Sequence, residues 1–140
     1  MRPAVPADAA ALSAVIAAAY QPFVDAGLDL PPVAEGTGED IARHTVWVVE
    51  DDVGLQGGIV LALGETAHVV NLAVHPRAGG RGLGRVLMDK AVGLARAAGY
   101  DHLQLATHVE MTGTQAFYAK LGWRETGRAG QKVYFSLKLD

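Results

Sequence analysis

The chain has no cysteine. That excludes a disulfide framework, a thiolate nucleophile and any cysteine-ligated zinc. Serine is almost as scarce: Ser13 and Ser136 occur, and neither stands in the G-x-S-x-G setting of an esterase-type hydrolase. The histidines His44, His68, His75, His102 and His108 show no H-E-x-x-H or related spacing, so a metal hydrolase lacks its ligands and no metal is expected. Excess charge of one sign is missing too. Twelve Lys and Arg against 15 Asp and Glu give a net charge of -3, a poor match to a protein that coats nucleic acid. The first eight residues hold no signal-peptide core. The alanine-rich stretch from Ala9 to Ala19 contains Ser13 and reads as a helix of a soluble protein. No apolar run reaches the roughly 18 residues of a membrane span. A cytoplasmic setting, with neither membrane nor nucleic acid as partner, is the expectation.

What is present is a 140-residue chain of which 50% is hydrophobic, enough for one domain over residues 1–140 with a real core. Asp8 is placed to cap a helix over Ala9–Tyr20, whose buried stripe is Leu12, Val15, Ile16 and Ala19; Pro22 closes or interrupts it. Residues 24–38, with Gly27, Pro31, Pro32, Gly36 and Gly38, read as an irregular connection, and Glu39–His44 as a short helical turn. Thr45–Glu50 and Gly57–Leu63 form a hairpin, and Ala67–Val74 is a third strand. Leu83–Ala98 is the clearest helix, with Leu83, Leu87, Ala91, Leu94 and Ala98 on one face and Gly99 as its C-cap. His102–Thr107 is a strand and Thr112–Leu121 a helix ended by Gly122. Trp123–Thr126 and Lys132–Leu139 are strands around a turn at Gly127–Gly130. The result is a mixed α/β order.

The third strand runs through Val74-His75-Pro76 into Gly79-Gly80-Arg81-Gly82-Leu83-Gly84-Arg85, and a helix opens out of that turn. A row of backbone N–H groups and a helix N-terminus favour an anion there, phosphate above all. A P-loop needs lysine and a hydroxyl after its last glycine, but Arg85-Val86 follow Gly84. A dinucleotide fingerprint needs a third glycine where Leu87 stands, near the start of a βαβ unit. The remaining form, [QR]-x-x-G-x-[GA] between a strand and an amphipathic helix, fits at the glycines.

With these residues the chain resembles the GNAT superfamily of N-acetyltransferases, which bind acetyl-coenzyme A. The lead-in Val74-His75-Pro76 and Leu87 also look like that family; Gly79 stands where Gln or Arg is usual. Thr112-Gly113-Thr114-Gln115-Ala116-Phe117-Tyr118-Ala119-Lys120-Leu121-Gly122-Trp123 is similar to the family's second element, keeping Tyr118, Lys120, Leu121 and Gly122. Met111 replaces the usual asparagine and Thr114 the usual alanine. The resemblance implies a GNAT-like acyl-CoA N-acyltransferase fold: a central, mostly antiparallel sheet, splayed cofactor strands and flanking helices. A first strand normally precedes the first helix. Met1–Val5 alone is placed to supply it, and Pro3 limits its pairing, so that strand is short or absent.

The resemblance further implies an acetyl-CoA-dependent N-acetyltransferase, an acyltransferase acting by direct attack of a primary amine. Without cysteine, an acyl-cysteine route is closed. Leu72, Ala73 and Val74 would hold the pantetheine arm, with the Leu72 N–H near the acetyl oxygen. Gly79, Gly80, Arg81, Gly82, Leu83, Gly84 and Arg85 would hold the pyrophosphate. Tyr118 is the catalytic acid or hydrogen-bond donor to the departing sulfur; otherwise it is a core tyrosine with a wet hydroxyl. His68 is the candidate base, in the useful titration range, or else an ordinary strand histidine; Asn71 or water is the alternative. Tyr20, Phe23 and Trp47 are candidate walls around an acceptor that is a small molecule or a peptide amine; Asp25, Asp29, Glu35, Glu39 and Asp40 would suit a cationic amine there, or else belong to an ordinary solvated loop, the more expected of the two. A homodimer stays open. The competing reading is a non-catalytic acetyl-CoA or CoA sensor, which would need neither Tyr118 nor an acceptor cleft. An acidic interaction domain without cofactor is a third.

Overall fold

The computed structural model describes residues 1–139 except Pro31 and Val33. Pro31 was counted above in the irregular connection and lies outside the described residues. Along the chain come β1 (Arg2–Pro3), α1 (Ala9–Asp25), α2 (Thr37–Arg43), β2 (Thr45–Asp51), β3 (Gly54–Leu63) and β4 (Ala67–Val74). They are followed by α3 (Leu83–Ala97), β5 (His102–His108), α4 (Thr112–Lys120), β6 (Arg124–Ala129) and β7 (Lys132–Lys138). The described strands form one sheet in the order β1-β2-β3-β4-β5-β7-β6. Every pairing is antiparallel except β4 with β5. The first strand is present, but it is two residues long.

Two cores lie on opposite faces of this sheet. Leu12, Val15 and Ile16 of α1 pack with Val46, Val48, Val60 and Ala73. Leu87, Met88, Ala91 and Ala95 of α3, with Tyr118 of α4, pack with Ile59, Leu61, Val69, Leu105 and Phe135. The stripe expected on α3 is thus rotated: Met88 and Ala95 are buried, whereas Ala98 is exposed beyond the helix end. Small Ala91 and Ala95 let the helix axis approach the sheet, and that approach selects the face.

Helix α1 continues through Pro22 to Asp25 instead of closing before it. Pro22 is exposed and removes a single ladder donor, while Ala26 and the Gln21–Asp25 side-chain bond still close the last turn. By length and composition Pro6–Asp25 would reach across a membrane; here its apolar stripe is spent on the sheet. Asp8 precedes α1 but makes no side-chain cap bond. Its carboxylate accepts from the Val5 N–H at 2.8 Å and from the Arg2 guanidinium at 2.8 and 3.0 Å. The last hairpin also differs: Gly127 pairs with Tyr134 inside β6, and the strand begins at Arg124, leaving Trp123 buried before it.

Register in β4 changes midway. Leu61 pairs with Val69, but Val60 pairs with Asn71, so Val70 is an extra residue. Such a bulge reverses which face the following side chains take. Val69 accordingly belongs to the α3-side core and Ala73 to the α1-side core, though four residues separate them.

Candidate active site

Strands β4 and β5 pair at Ala67–Leu103 and His68–Gln104, and then part. A cavity of about 630 Å³ opens where they separate, a size usual for small-molecule sites. His68 to Val74 form one wall and Leu105 to His108 the other. Ala19, Tyr20 and Phe23 of α1 close it on one face of the sheet, together with Asp29 and Leu30. Thr114 and Tyr118 of α4 close it on the other.

Tyr118 is 7% exposed. Its ring lies 5.5, 5.9 and 6.0 Å from those of Phe117, Trp123 and Phe135. Burial, and secondarily the proximity of Tyr20, push its phenol above the usual tyrosine range, so it stays protonated. Tyr20 is also pushed up by burial.

His68 sits at the closed end of the cleft, where the strands are still paired. It pairs with Ala62 on β3, whose neighbour Leu61 faces α3, so His68 looks toward α1. Its Nε2 is 2.5 Å from the Thr66 hydroxyl. Asn71 pairs with Val60 of the α1-side core and therefore shares that face. Three residues apart on a regular strand, the two would face opposite ways; the bulge at Val70 puts them on one side. His108 also lines the cavity, but Nδ1 accepts the Glu110 N–H at 3.0 Å and Nε2 is sealed from solvent, which leaves no open nitrogen to act as a base.

The glycine loop follows directly on β4. Leu72, Ala73 and Val74 line the cavity, whereas Gly79, Gly80, Arg81, Gly82, Leu83, Gly84 and Arg85 lie beyond it, leading into α3. Gly82 takes φ +76° as the residue before α3, a conformation that side chains strain. A Cβ on Gly84 would come 3.3 Å from the Phe117 ring, so the start of α3 packs closely on α4. The first bond of the helix runs from Val86 N to Gly82 O, leaving the earlier first-turn N–H groups to other partners. Arg81 pairs with Asp51 at 3.6 Å, both of them exposed. Arg85 is exposed on the first turn of α3.

Of the residues named above around an acceptor, the structure brings only part together. Tyr20, Phe23 and Asp29 line the cavity; Asp25, Glu35, Glu39 and Asp40 do not. Trp47 does not either. Its neighbours Val46 and Val48 belong to the α1-side core, so Trp47 takes the opposite face, with Lys90 of α3 over its ring at 3.9 Å. Lys132 and Gln131 are lining residues that the sequence did not single out. They arrive through the pairing of β7 with β5, a long-range event with no local signal.

Similarity to known proteins agrees with this geometry. A mycothiol acetyltransferase from Beutenbergia cavernae is 33% identical over 84 residues, covering 56% of this chain and 28% of that protein. A peptidyl-lysine N-acetyltransferase from Salmonella typhimurium is 35% identical over 86 residues, covering 60% of this chain and 53% of its own length. The chain thus spans about a quarter and about half of these two relatives. Among solved structures, the PaiA N-acetyltransferase of Thermoplasma acidophilum in complex with coenzyme A superposes with a TM-score of 0.82 at 19% identity, over 98% of this chain and 96% of that one. A GNAT-family acetyltransferase from Staphylococcus aureus gives 0.83 at 16%, over 99% and 97%. The family model of the acetyltransferase (GNAT) domain matches residues 42–125, which hold the hairpin, the parted strands, the glycine loop and Tyr118, and the chain belongs to that family.

Proposed function

We propose that this chain, acting as one domain, transfers an acetyl group from acetyl-CoA to a primary amine by direct attack. The observation that carries this reading is the cavity between the parted strands, which a buried, protonated phenol enters from one face. Acetyl-CoA supplies an activated thioester. The chain supports its binding with the open edge of β4 at Leu72, Ala73 and Val74, which presents main-chain groups as a neighbouring strand would. Gly79, Gly80, Gly82 and Gly84 keep side chains from crowding the start of α3, where the helix end, with the Leu83 N–H in its first turn, suits a pyrophosphate. Arg85 is available to that charge, and Arg81 becomes so on leaving Asp51.

The reaction forms a C–N bond and breaks a C–S bond. The amine must lose a proton, and the sulfur leaves as a thiolate that needs a hydrogen-bond donor and takes its proton from water after release. An ordinary thiol near 8.5 releases its proton more readily than a phenol near 10, and burial raises Tyr118 further. Tyr118 therefore serves as a hydrogen-bond donor to the departing sulfur. His68 and Asn71 stand on the α1 side, where the amine's proton is lost, with His68 as the base. The cytoplasm, where acetyl-CoA is available, is the setting proposed. Both small amines and peptide amines fit an open cleft, and one relative is named for peptidyl-lysine.

An acetyl-transfer screen decides the matter. The chain is mixed with acetyl-CoA and a panel of small primary amines, amino acids, lysine peptides and peptides with free N-termini, and released CoA is measured. Turnover with at least one amine is expected, together with thermal stabilisation by acetyl-CoA. Stabilisation without turnover on any amine would favour the sensor reading. Neither would overturn the coenzyme assignment.

A further inference from the structure

Two tyrosines enter the same cavity from opposite faces of the sheet. Tyr20, on α1, packs against the α1-side core; Tyr118, on α4, belongs to the α3-side core. Both line the opening between β4 and β5. With an intact ladder between them, the two residues would be separated by backbone. The parting of the strands beyond His68 and Gln104 removes that barrier.

Neither hydroxyl makes a hydrogen bond among the described residues, and neither is among the polar atoms sealed from solvent. Both hydroxyls are therefore open to whatever enters the cavity. Tyr118 has a proposed partner in the departing sulfur. Tyr20 has none assigned.

We propose that Tyr20 holds the attacking nitrogen. Resting on the acetyl-transfer reading above, this assigns its phenolic oxygen to accept one N–H of the neutral amine, so that the nitrogen lone pair faces the thioester carbon. Three observations point to nitrogen and not sulfur as the atom held. The glycine loop leads into α3, which packs on the face opposite α1, so the donor enters from the far side of the sheet. His68 and Asn71 face α1, beside Tyr20. Asp29, which follows α1 in the chain, adds an acidic residue to the cavity lining, which suits an incoming ammonium before it loses its proton. In the step itself the amine nitrogen bonds the acetyl carbon and the C–S pair leaves with sulfur. One amine proton departs to the base, and the N–H held by Tyr20 stays on the product amide. A primary amine has a hydrogen to spare for this contact; a secondary amine loses its only one.

The test compares the most active primary amine of the panel with its N-methyl derivative, in wild type and in Tyr20→Phe. That substitution keeps the ring, including its contact with Phe23 at 6.4 Å. We expect wild type to favour the primary amine tenfold or more in kcat/KM. In Tyr20→Phe that preference should shrink at least fivefold, with the KM for acetyl-CoA moving less than about twofold. A purely structural role would lower both amines alike and leave the ratio intact, which overturns the proposal. Tyr20→Leu separates ring from hydroxyl: it should fall as far as Tyr20→Phe, whereas full activity in Tyr20→Phe also overturns the assignment. Loss of acetyl-CoA binding by wild type would instead overturn the acetyl-transfer reading, a distinct result.

Discussion

A single hydroxyl separates tyrosine from phenylalanine, and at Tyr118 that hydroxyl carries the donor role proposed above. Its ring is fixed by three aromatic neighbours, so Tyr118→Phe leaves packing nearly intact. We expect kcat to drop by about 10²-fold, in line with the loss of one donor to a developing charge, while the affinity for acetyl-CoA stays within about twofold by calorimetry. His68 gives a second residue-level expectation. If it takes the amine's proton, wild-type kcat/KM declines on the acidic side as the imidazole protonates. His68→Ala should lose that acidic limb along with most of its rate; an unchanged limb would move the base elsewhere. The Tyr118 helix and the glycine turn were legible in the sequence as local patterns of fixed spacing; the roles proposed for them rest on that pattern and on their place at the cavity. The acceptor-side residues were less so. Trp47 and Tyr20 looked alike as aromatic wall, and only the face chosen by α1 separates them.

Elements here are positioned by what they leave out. Gly58 on β3 has no side chain, and a Cβ there would come 2.5 Å from Leu12 Cδ1 of α1. Leu12 is 1% exposed, so it has nowhere easy to turn. Gly58→Ala should therefore cost about 1–2 kcal/mol in urea unfolding. Combining it with Leu12→Ala should cost less than the two single changes added together, since the cavity and the methyl offset each other. Element existence was readable from periodicity for the longer helices and strands; the first strand was expected only through the family resemblance, as short or absent, and it is two residues long. Two details were not legible. The bulge at Val70 has no marker in Ala67–Val74, because every residue there is acceptable to a regular strand. Pro22 signals a break that an exposed final turn overrides. Both outcomes are decided by what packs against the element and not by its own letters.

Across the whole molecule, the N-terminal segment is tied to the sheet by short backbone pairing, with the Ala4 N–H on the Val46 carbonyl, and by a cluster of charges. Arg2 donates to Asp8 and to Glu50 of β2, beside a strand of two residues. The Arg2 guanidinium, and next the Val5 N–H, hold the Asp8 carboxyl below the usual carboxylate range. A lowered native value makes the contribution complete above the unfolded value of about 3.9 and removes it as pH falls through the native one. Asp8→Asn should thus lower Tm at neutral pH, and its deficit against wild type should narrow as the medium is acidified below about pH 3.9; a constant deficit would mean that charge is not part of the tie. The middle of the sheet is held differently. Strands β1–β4 and β5–β7 are two panels stitched along a seam only as long as the Ala67 and His68 pairings. On the proposed function, a donor laid along the free edge of β4 is a removable slat that bridges the panels. The fold is then stiffest when loaded and slackest just after release, so the coenzyme it consumes also serves, for the length of each turnover, as part of its frame.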